Sequence, residues 1–204
     1  MCRFLLVKFK NKTSPADVLN SFAKMSEQSR TLDGDWQGDG WGVSWKDDKG
    51  EWQTTKSLSP IWMDKGVFPE IPPTSMLAVH ARSASFPSQK GIIEFNQPFV
   101  EGGMAFVFNG FLRGVNLKNI NGTIGAQKIW NLLKEELKTN SPDQSLDNVK
   151  KILIDNSKEI IALNIGLVVN NNLYYLNYFS NHKEYYELHK WQKDGAEIIC
   201  SEMF

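Results

Sequence analysis

The residue with the most chemistry to offer in this sequence is the cysteine at position 2. Removal of Met1, favoured by the small side chain that follows it, would leave a thiol and a free α-amine on one residue. Such an amine titrates near about 7.7–8.0, so its neutral form is available as a general base for the neighbouring thiol. One residue can then supply both nucleophile and base. Taken alone, Cys2 also reads as a small apolar residue in a buried strand, the commoner role for a lone cysteine. The second cysteine, Cys200, follows Ile198 and Ile199 and is expected to be an inert buried thiol.

Other chemistries find little support. Gly38-Asp-Gly-Trp-Gly42 is glycine-rich, but it lacks the spacing and preceding strand of a dinucleotide fingerprint, and no GxxxxGK[ST] phosphate loop is present. Asp33-Gly-Asp35 opens like a calcium loop, yet its twelfth position is Ser44 where a bidentate Glu is needed. His80, His182 and His189 are not clustered with cysteines or carboxylates, and no CxxC occurs. No GxSxG elbow locates a serine triad. No metal and no cofactor are expected. The 23 basic and 23 acidic residues balance, so no domain-wide positive field favours nucleic acid. The longest strongly apolar stretch, from Ile160 to Val169, is far short of the roughly 20 residues that cross a bilayer, and no secretory h-region precedes the basic Lys8 and Lys10. A cytoplasmic protein without a membrane partner is expected.

The elements that must position Cys2 begin with Cys2 itself. Residues 2–9 are apolar on both faces, as in a strand buried between layers. Ser14-Pro15 starts a helix to about Gln28, with Val18, Phe22 and Met25 on one stripe. Strands are predicted at 41–46 and 51–57, joined by the Asp47–Gly50 turn, then at Met76–His80 and Met104–Phe108. Helices are predicted over Gly125–Leu137 and Ser145–Asn156. Strands return at 161–169, 173–179, 184–191 and 196–200, with a hairpin turn at Asn170-Asn171. There is no repeat and no long linker, so residues 1–204 read as a single domain of α+β class, two packed sheets covered by helices in four layers.

Read together, several blocks resemble the class II glutamine amidotransferases, members of the N-terminal nucleophile hydrolases, and in particular their small stand-alone type. They are Met1-Cys2-Arg3-Phe4-Leu5, Gly38-Asp-Gly-Trp-Gly-Val-Ser-Trp45, Val79-His-Ala-Arg82-Ser-Ala-Ser85, Asn96-Gln-Pro-Phe99, Val107-Phe-Asn109-Gly110 and Ser201-Glu202. The blocks occur in family order and span nearly the whole chain. The resemblance implies an αββα sandwich of two mainly antiparallel sheets. It also implies that Cys2 splits the side-chain amide of glutamine through a thioester and releases ammonia. By the same resemblance Asn109, through its side-chain NH₂, and Gly110, through its backbone N–H, form the oxyanion hole. Arg82 holds the substrate α-carboxylate, a task suited to a planar guanidinium. Ser85 lies near the substrate, and Asp39, Gly40 and Gly42 shape the site. Trp41 and Trp45 are expected in the core.

The sequence departs from the family at one point. Where members usually carry an Asp that pairs with the substrate α-amine, this chain reads Gly122-Thr-Ile-Gly-Ala-Gln127, so Ile124 and Gly125 offer no carboxylate. A buried α-ammonium would lack its charge partner, which is costly. Three readings follow. The first is glutamine amide hydrolysis, with any ammonia acceptor in a separate synthase subunit. The second is an amidase acting on a related, γ-glutamyl-like amide. The third is a catalytically silent interaction module, which predicts retained Met1 and indifference to loss of Cys2.

Overall fold

The computed structural model describes residues 1–29, 36–117 and 119–204. The calcium-loop reading rejected above rests on Asp33 and Asp35, which lie outside the described residues. Among the described residues, ten strands run in the order β1 (Arg3–Thr13), β2 (Trp41–Lys46), β3 (Trp52–Ser57), β4 (Thr74–Ala81), β5 (Phe99–Glu101), β6 (Met104–Arg113), β7 (Glu159–Val169), β8 (Asn172–Phe179), β9 (His189–Lys193) and β10 (Ala196–Cys200). The helices are α1 (Ala16–Gln28), α2 (Gly125–Glu136), α3 (Pro142–Asp155) and the single turn α4 (Lys183–Tyr186).

The strands form two antiparallel sheets, one ordered β3-β2-β4-β1-β10-β9 and the other β5-β6-β7-β8. Three apolar layers hold them, and strand alternation sorts β1 between two of these layers. Leu5 and Val7 face outward into a layer that includes Leu19, Phe22 and Met25 of α1. Phe4 and Leu6 face inward, with Ala105, Val107 and Val168 of the second sheet. On the far side, Ile129, Leu133, Leu146 and Val149 of α2 and α3 cover Phe106, Phe108 and Ile165. The result is the four-layer αββα sandwich of the α+β class. Trp41 is fully buried and Trp45 packs against the same core. Among the described residues, no helix is long and apolar enough to cross a membrane.

Several elements differ from the sequence reading. The strand expected at 184–191 is instead α4 followed by β9, because asparagine side chains take the hydrogen bonds that a partner strand would have supplied. Asn164 and Asn177 both donate to the Tyr186 carbonyl, at 2.7 and 2.9 Å, and the Leu188 N–H donates to Asn177 at 3.1 Å. Helix α3 starts at Pro142 rather than Ser145. Ser141 caps it by accepting from the Gln144 N–H, and Pro142 occupies a first-turn position where a missing N–H costs nothing. Strand β6 continues to Arg113, and the short β5 joins it through Gly102 and Gly103, both at positive φ as a tight hairpin turn requires.

Candidate active site

The start of β1 defines the site. Arg3 pairs with Ala81 and Phe4 with His80, so Cys2 lies level with Arg82 just beyond the ends of both strands. Residues two apart share a face, which places Cys2 with Phe4 and Arg82 with His80 on the side that meets the second sheet. The Ser83 N–H donates to the Cys2 sulfur at 3.3 Å, and the Ser83 carbonyl lies 3.5 Å from that sulfur. Burial pushes the Arg82 guanidinium below its usual range, while charge on Cys2 and Asp39 acts in the opposite direction.

A tripod of contacts from the buried Arg3 holds the end of β1 that carries this cysteine. Arg3 is 2% exposed; its guanidinium stacks 3.7 Å from the Tyr185 ring centroid, donates to Ser29 Oγ at 2.8 Å and lies 3.4 Å from Glu202. Phe4 and Ser201 exchange two hydrogen bonds of 3.0 Å, one through the Ser201 hydroxyl. The closing Ser201-Glu202 block thus positions the N-terminal strand. Arg3 and Ser201 carried no role in the sequence reading. Their signal is a charged and a hydroxyl residue beside otherwise apolar strands.

Arg82 is 4% exposed, and its two terminal nitrogens reach the Gln89 carbonyl at 2.8 Å and Asn96 Oδ1 at 3.4 Å. Asn96 in turn donates to the Ser57 carbonyl at 2.7 Å. The Asp39–Gly40 segment runs alongside: the Asp39 N–H donates to the Arg82 carbonyl at 2.9 Å and the Arg82 N–H to the Gly40 carbonyl at 2.8 Å. Gly40 has φ of 119°, and a Cβ there would collide with the Asn96 amide nitrogen. A Cβ at Gly42 would collide with the Gln97 carbonyl oxygen. These two glycines let Asn96 and Gln97 press against β2. The Asp39 carboxylate is committed, one oxygen to Lys90 at 2.9 Å and the other to the Ala84 N–H at 2.9 Å. Ser85 sits in the exposed loop between Arg82 and Lys90, two residues past the serine that contacts Cys2.

The second sheet brings Asn109 to the same end. His80 Nε2 lies 3.1 Å from the Phe108 carbonyl, and near the start of β4 Trp52 Nε1 donates to the Gly103 carbonyl at 2.9 Å, so β6 runs in the direction of β4 and Asn109 follows Phe108 toward the Arg82 end. Asn109 shares the inward face of Ala105 and Val107, is 1% exposed, and neither atom of its side-chain amide has a hydrogen-bond partner. Buried polar groups are nearly always paired, and Asn109 is the one residue among those described with two such side-chain atoms unpaired. Gly110 lies beside it. A Cβ there would come within 2.5 Å of both the Ala162 carbonyl and the Phe108 ring, so only glycine fits. Cys2, Arg82, Asn109 and Gly110 thus gather at one end of the sandwich, with a thiol, a cation and amide donors able to polarise and attack a carbonyl.

Segment 122–127 enters α2 without an acid. Gln127 Oε1 accepts from the Thr123 and Ile124 N–H groups at 2.9 and 3.3 Å, and the Ile124 side chain is buried under α2 with Ile129 and Leu133. Cys200 is fully buried, and burial pushes its thiol up to about 12.

No protein-family model matches the chain, and no curated protein sequence matches it. Solved structures do. A glutamine phosphoribosylpyrophosphate amidotransferase from B. subtilis, complexed with ADP and GMP, superposes with a TM-score of 0.64 at 13% identity, over 98% of this chain and 42% of that one. The allosteric regulatory enzyme of purine biosynthesis gives 0.66 at 15% identity, again over 98% and 42%. A glutamine aminotransferase class-II domain protein from Silicibacter pomeroyi gives 0.63 at 13% identity, over 98% of this chain and 88% of that one. The chain therefore spans less than half the length of the first two and nearly the whole of the third. It has the fold that these proteins share.

Proposed function

We propose that this chain is a cysteine-dependent amidohydrolase of the class II glutamine amidotransferase family, with Cys2 as its N-terminal nucleophile and residues 1–204 as one amidase domain. The observation that carries this reading is the buried, unpartnered amide of Asn109, set at the end of the sandwich where β1 and β4 present Cys2 and Arg82. A purely structural asparagine in that position would leave two polar atoms unpaired at a cost of about 1–3 kcal/mol. A tetrahedral oxyanion would accept from Asn109 Nδ2 and remove the donor's share of that cost at the moment of reaction.

After loss of Met1, the α-amine of Cys2 takes the thiol proton and the sulfur attacks the amide carbon. The carbonyl electron pair moves to oxygen, where Asn109 and the Gly110 N–H stabilise it. Collapse expels ammonia, which carries away the proton held by the amine, and leaves a thioester. Water, deprotonated by the same amine, attacks the thioester, and the thiol and carboxylate are released. Arg82 holds the substrate carboxylate. The ammonia passes to an acceptor centre outside these 204 residues or to solvent.

A second reading concerns the amide and is favoured by segment 122–127. With Ile124 turned into the core and Asp39 engaged by Lys90 and Ala84, neither offers a free carboxylate to an α-ammonium. That supports a γ-carboxamide whose α-nitrogen is uncharged, as in an acylated or peptide-bound glutamine. Ammonia release from glutamine and from N-acetylglutamine tests both readings. Release that disappears in Cys2→Ala is expected, with the acetylated compound preferred under the second reading. Release from neither compound overturns the assignment.

A further inference from the structure

We infer that His80 and Gln97 are the positioning residues of the oxyanion hole, holding the Phe108–Asn109 peptide so that Asn109 and the Gly110 N–H converge on one point. The inference rests on the amidohydrolase reading above. Its ground is that the side chain of Asn109 has no hydrogen bond of its own, so its aim is set by the backbone that carries it. That backbone is held with unusual thoroughness at the residue before. The Phe108 N–H donates to Gln97 Oε1 at 2.6 Å, Gln97 Nε2 reaches the Phe108 carbonyl at 3.4 Å, and His80 Nε2 donates to the same carbonyl at 3.1 Å. Both side chains are buried, His80 fully and Gln97 at 4% exposure.

The register explains why a side chain is needed. Strand β5 pairs Phe99 with Phe106, and one more pair in the same register would set residue 97 against Phe108. Strand β5 has already ended there, and the side-chain amide of Gln97 supplies the acceptor and donor that a strand backbone would have offered. In an antiparallel strand, residues two apart present their N–H groups to the same edge. The Gly110 N–H therefore faces the edge that Gln97 closes at Phe108 and leaves open beyond it. Gly42 makes the arrangement possible, because any side chain there would push the Gln97 backbone away. His80 ties this edge to the first sheet, directly across from Phe4 on the strand that carries Cys2. A carbonyl can only accept, so His80 bears its proton on Nε2. Its buried Nδ1 has no partner, and burial pushes the imidazole down to about 3, so the ring stays neutral.

The test uses two aldehydes, glutamate γ-semialdehyde, whose open form is in equilibrium with its cyclic imine, and the N-acetyl derivative, which cannot form that imine. Cys2 captures the open aldehyde as a thiohemiacetal. The sulfur bonds to the aldehyde carbon, and the carbonyl pair moves to oxygen, which takes the thiol proton. The oxygen of that adduct lies where the oxyanion forms. Alkylation by iodoacetamide serves as the control, because it needs the thiol and not the hole. His80→Leu and Gln97→Met are expected to bind the aldehyde about 100-fold more weakly, with the alkylation rate unchanged. His80→Gln, whose amide nitrogen reaches the place of Nε2, is expected to recover most of the affinity. Should either apolar variant fail to fold, Gln97→Asn carries the test, since it keeps a buried amide and draws it one methylene back from both the Phe108 N–H and the Phe108 carbonyl. Capture by the unsubstituted protein with equal affinity in the variants overturns the positioning role alone. Alkylation that falls in parallel with aldehyde affinity also overturns it, since the loss would then be general disorder. Failure of the processed, unsubstituted protein to capture either aldehyde overturns the amidohydrolase reading itself, and the positioning role with it.

Discussion

Asn109 and Asn164 face each other across β6 and β7, yet only one of the two amides is satisfied. Asn164 donates to the Tyr186 carbonyl at 2.7 Å and accepts from Asn177 Nδ2 at 2.7 Å and the Tyr178 N–H at 3.3 Å, whereas Asn109 has no partner at either atom. Two residues of one type, paired directly across two strands, therefore have different surroundings. Asn164 ties α4 to the second sheet, and Asn109 keeps the unpaired amide on which the proposed oxyanion hole rests.

This contrast separates stability from turnover. Asn164→Leu is expected to destabilise the fold, at about 1–3 kcal/mol for each buried group left unpaired. Asn109→Leu removes two unpaired polar atoms and adds apolar surface, so it is expected to be neutral or stabilising by about 1 kcal/mol. It should nevertheless cut kcat by about 10²–10³ with little change in KM. Urea unfolding beside steady-state kinetics checks both. An Asn109→Leu protein that is less stable and fully active would make this residue structural.

The two thiols should respond unequally to reagents. Cys200 is fully buried and held protonated by its surroundings, while Cys2 is only partly buried. Thiolate, not thiol, is the reactive form. Titration of the folded protein with a disulfide reagent is expected to modify one thiol, with the second appearing only in denaturant. Mass mapping should place the first adduct on Cys2. Prompt modification of Cys200 in the folded state would contradict its burial.

Much of this architecture was legible because it is local. The doubly apolar run at 2–9 and the stripes of α1 and α2 announce themselves through period, and Cys2, Arg82, Asn109 and Gly110 stand in short blocks of recognisable order. The parts that escaped depend on distant partners. Residues 184–187 carry a Glu-Tyr-Tyr-Glu pattern that suits a strand, and only the asparagines of β7 and β8 make it a helical turn. Gln97 takes its meaning from where β5 stops, which no spacing within the chain reveals. The contact of Ser83 with the sulfur likewise depends on where loop 83–90 leaves the sheet.

Arg82 allows a test of substrate anchoring. Its guanidinium already spends two nitrogens on Gln89 and Asn96, which fixes the plane of the group. Lysine would keep the charge and lose both the fork and that fixation. Arg82→Lys is therefore expected to raise KM about 10-fold or more, about 1.4 kcal/mol per factor of ten, with a smaller effect on kcat. The rate of Cys2 alkylation by iodoacetamide should stay within about twofold, because that reagent carries no carboxylate to hold. An unchanged KM for a substrate bearing an α-carboxylate would remove Arg82 from the binding site.

His80 gives the fold an acid sensitivity whose sign can be worked out. Its ordinary value is 6.5, and burial pushes it down to about 3 in the folded protein. Between those values the unfolded chain binds a proton that the folded one does not. The contribution is therefore fully present above 6.5, is lost as pH falls, and levels off below about 3. Once the pH is well below the upper limit, the slope is about 1.4 kcal/mol per pH unit, which amounts to about 2 kcal/mol by about pH 5. His80→Gln keeps the donor to the Phe108 carbonyl and has nothing to titrate. Urea unfolding of both proteins from neutral pH downward should show the stability difference between them shifting by that amount in favour of His80→Gln. Parallel curves would mean that the imidazole is protonated in the folded state. In that case it could not sit neutral and fully enclosed beneath Asn109.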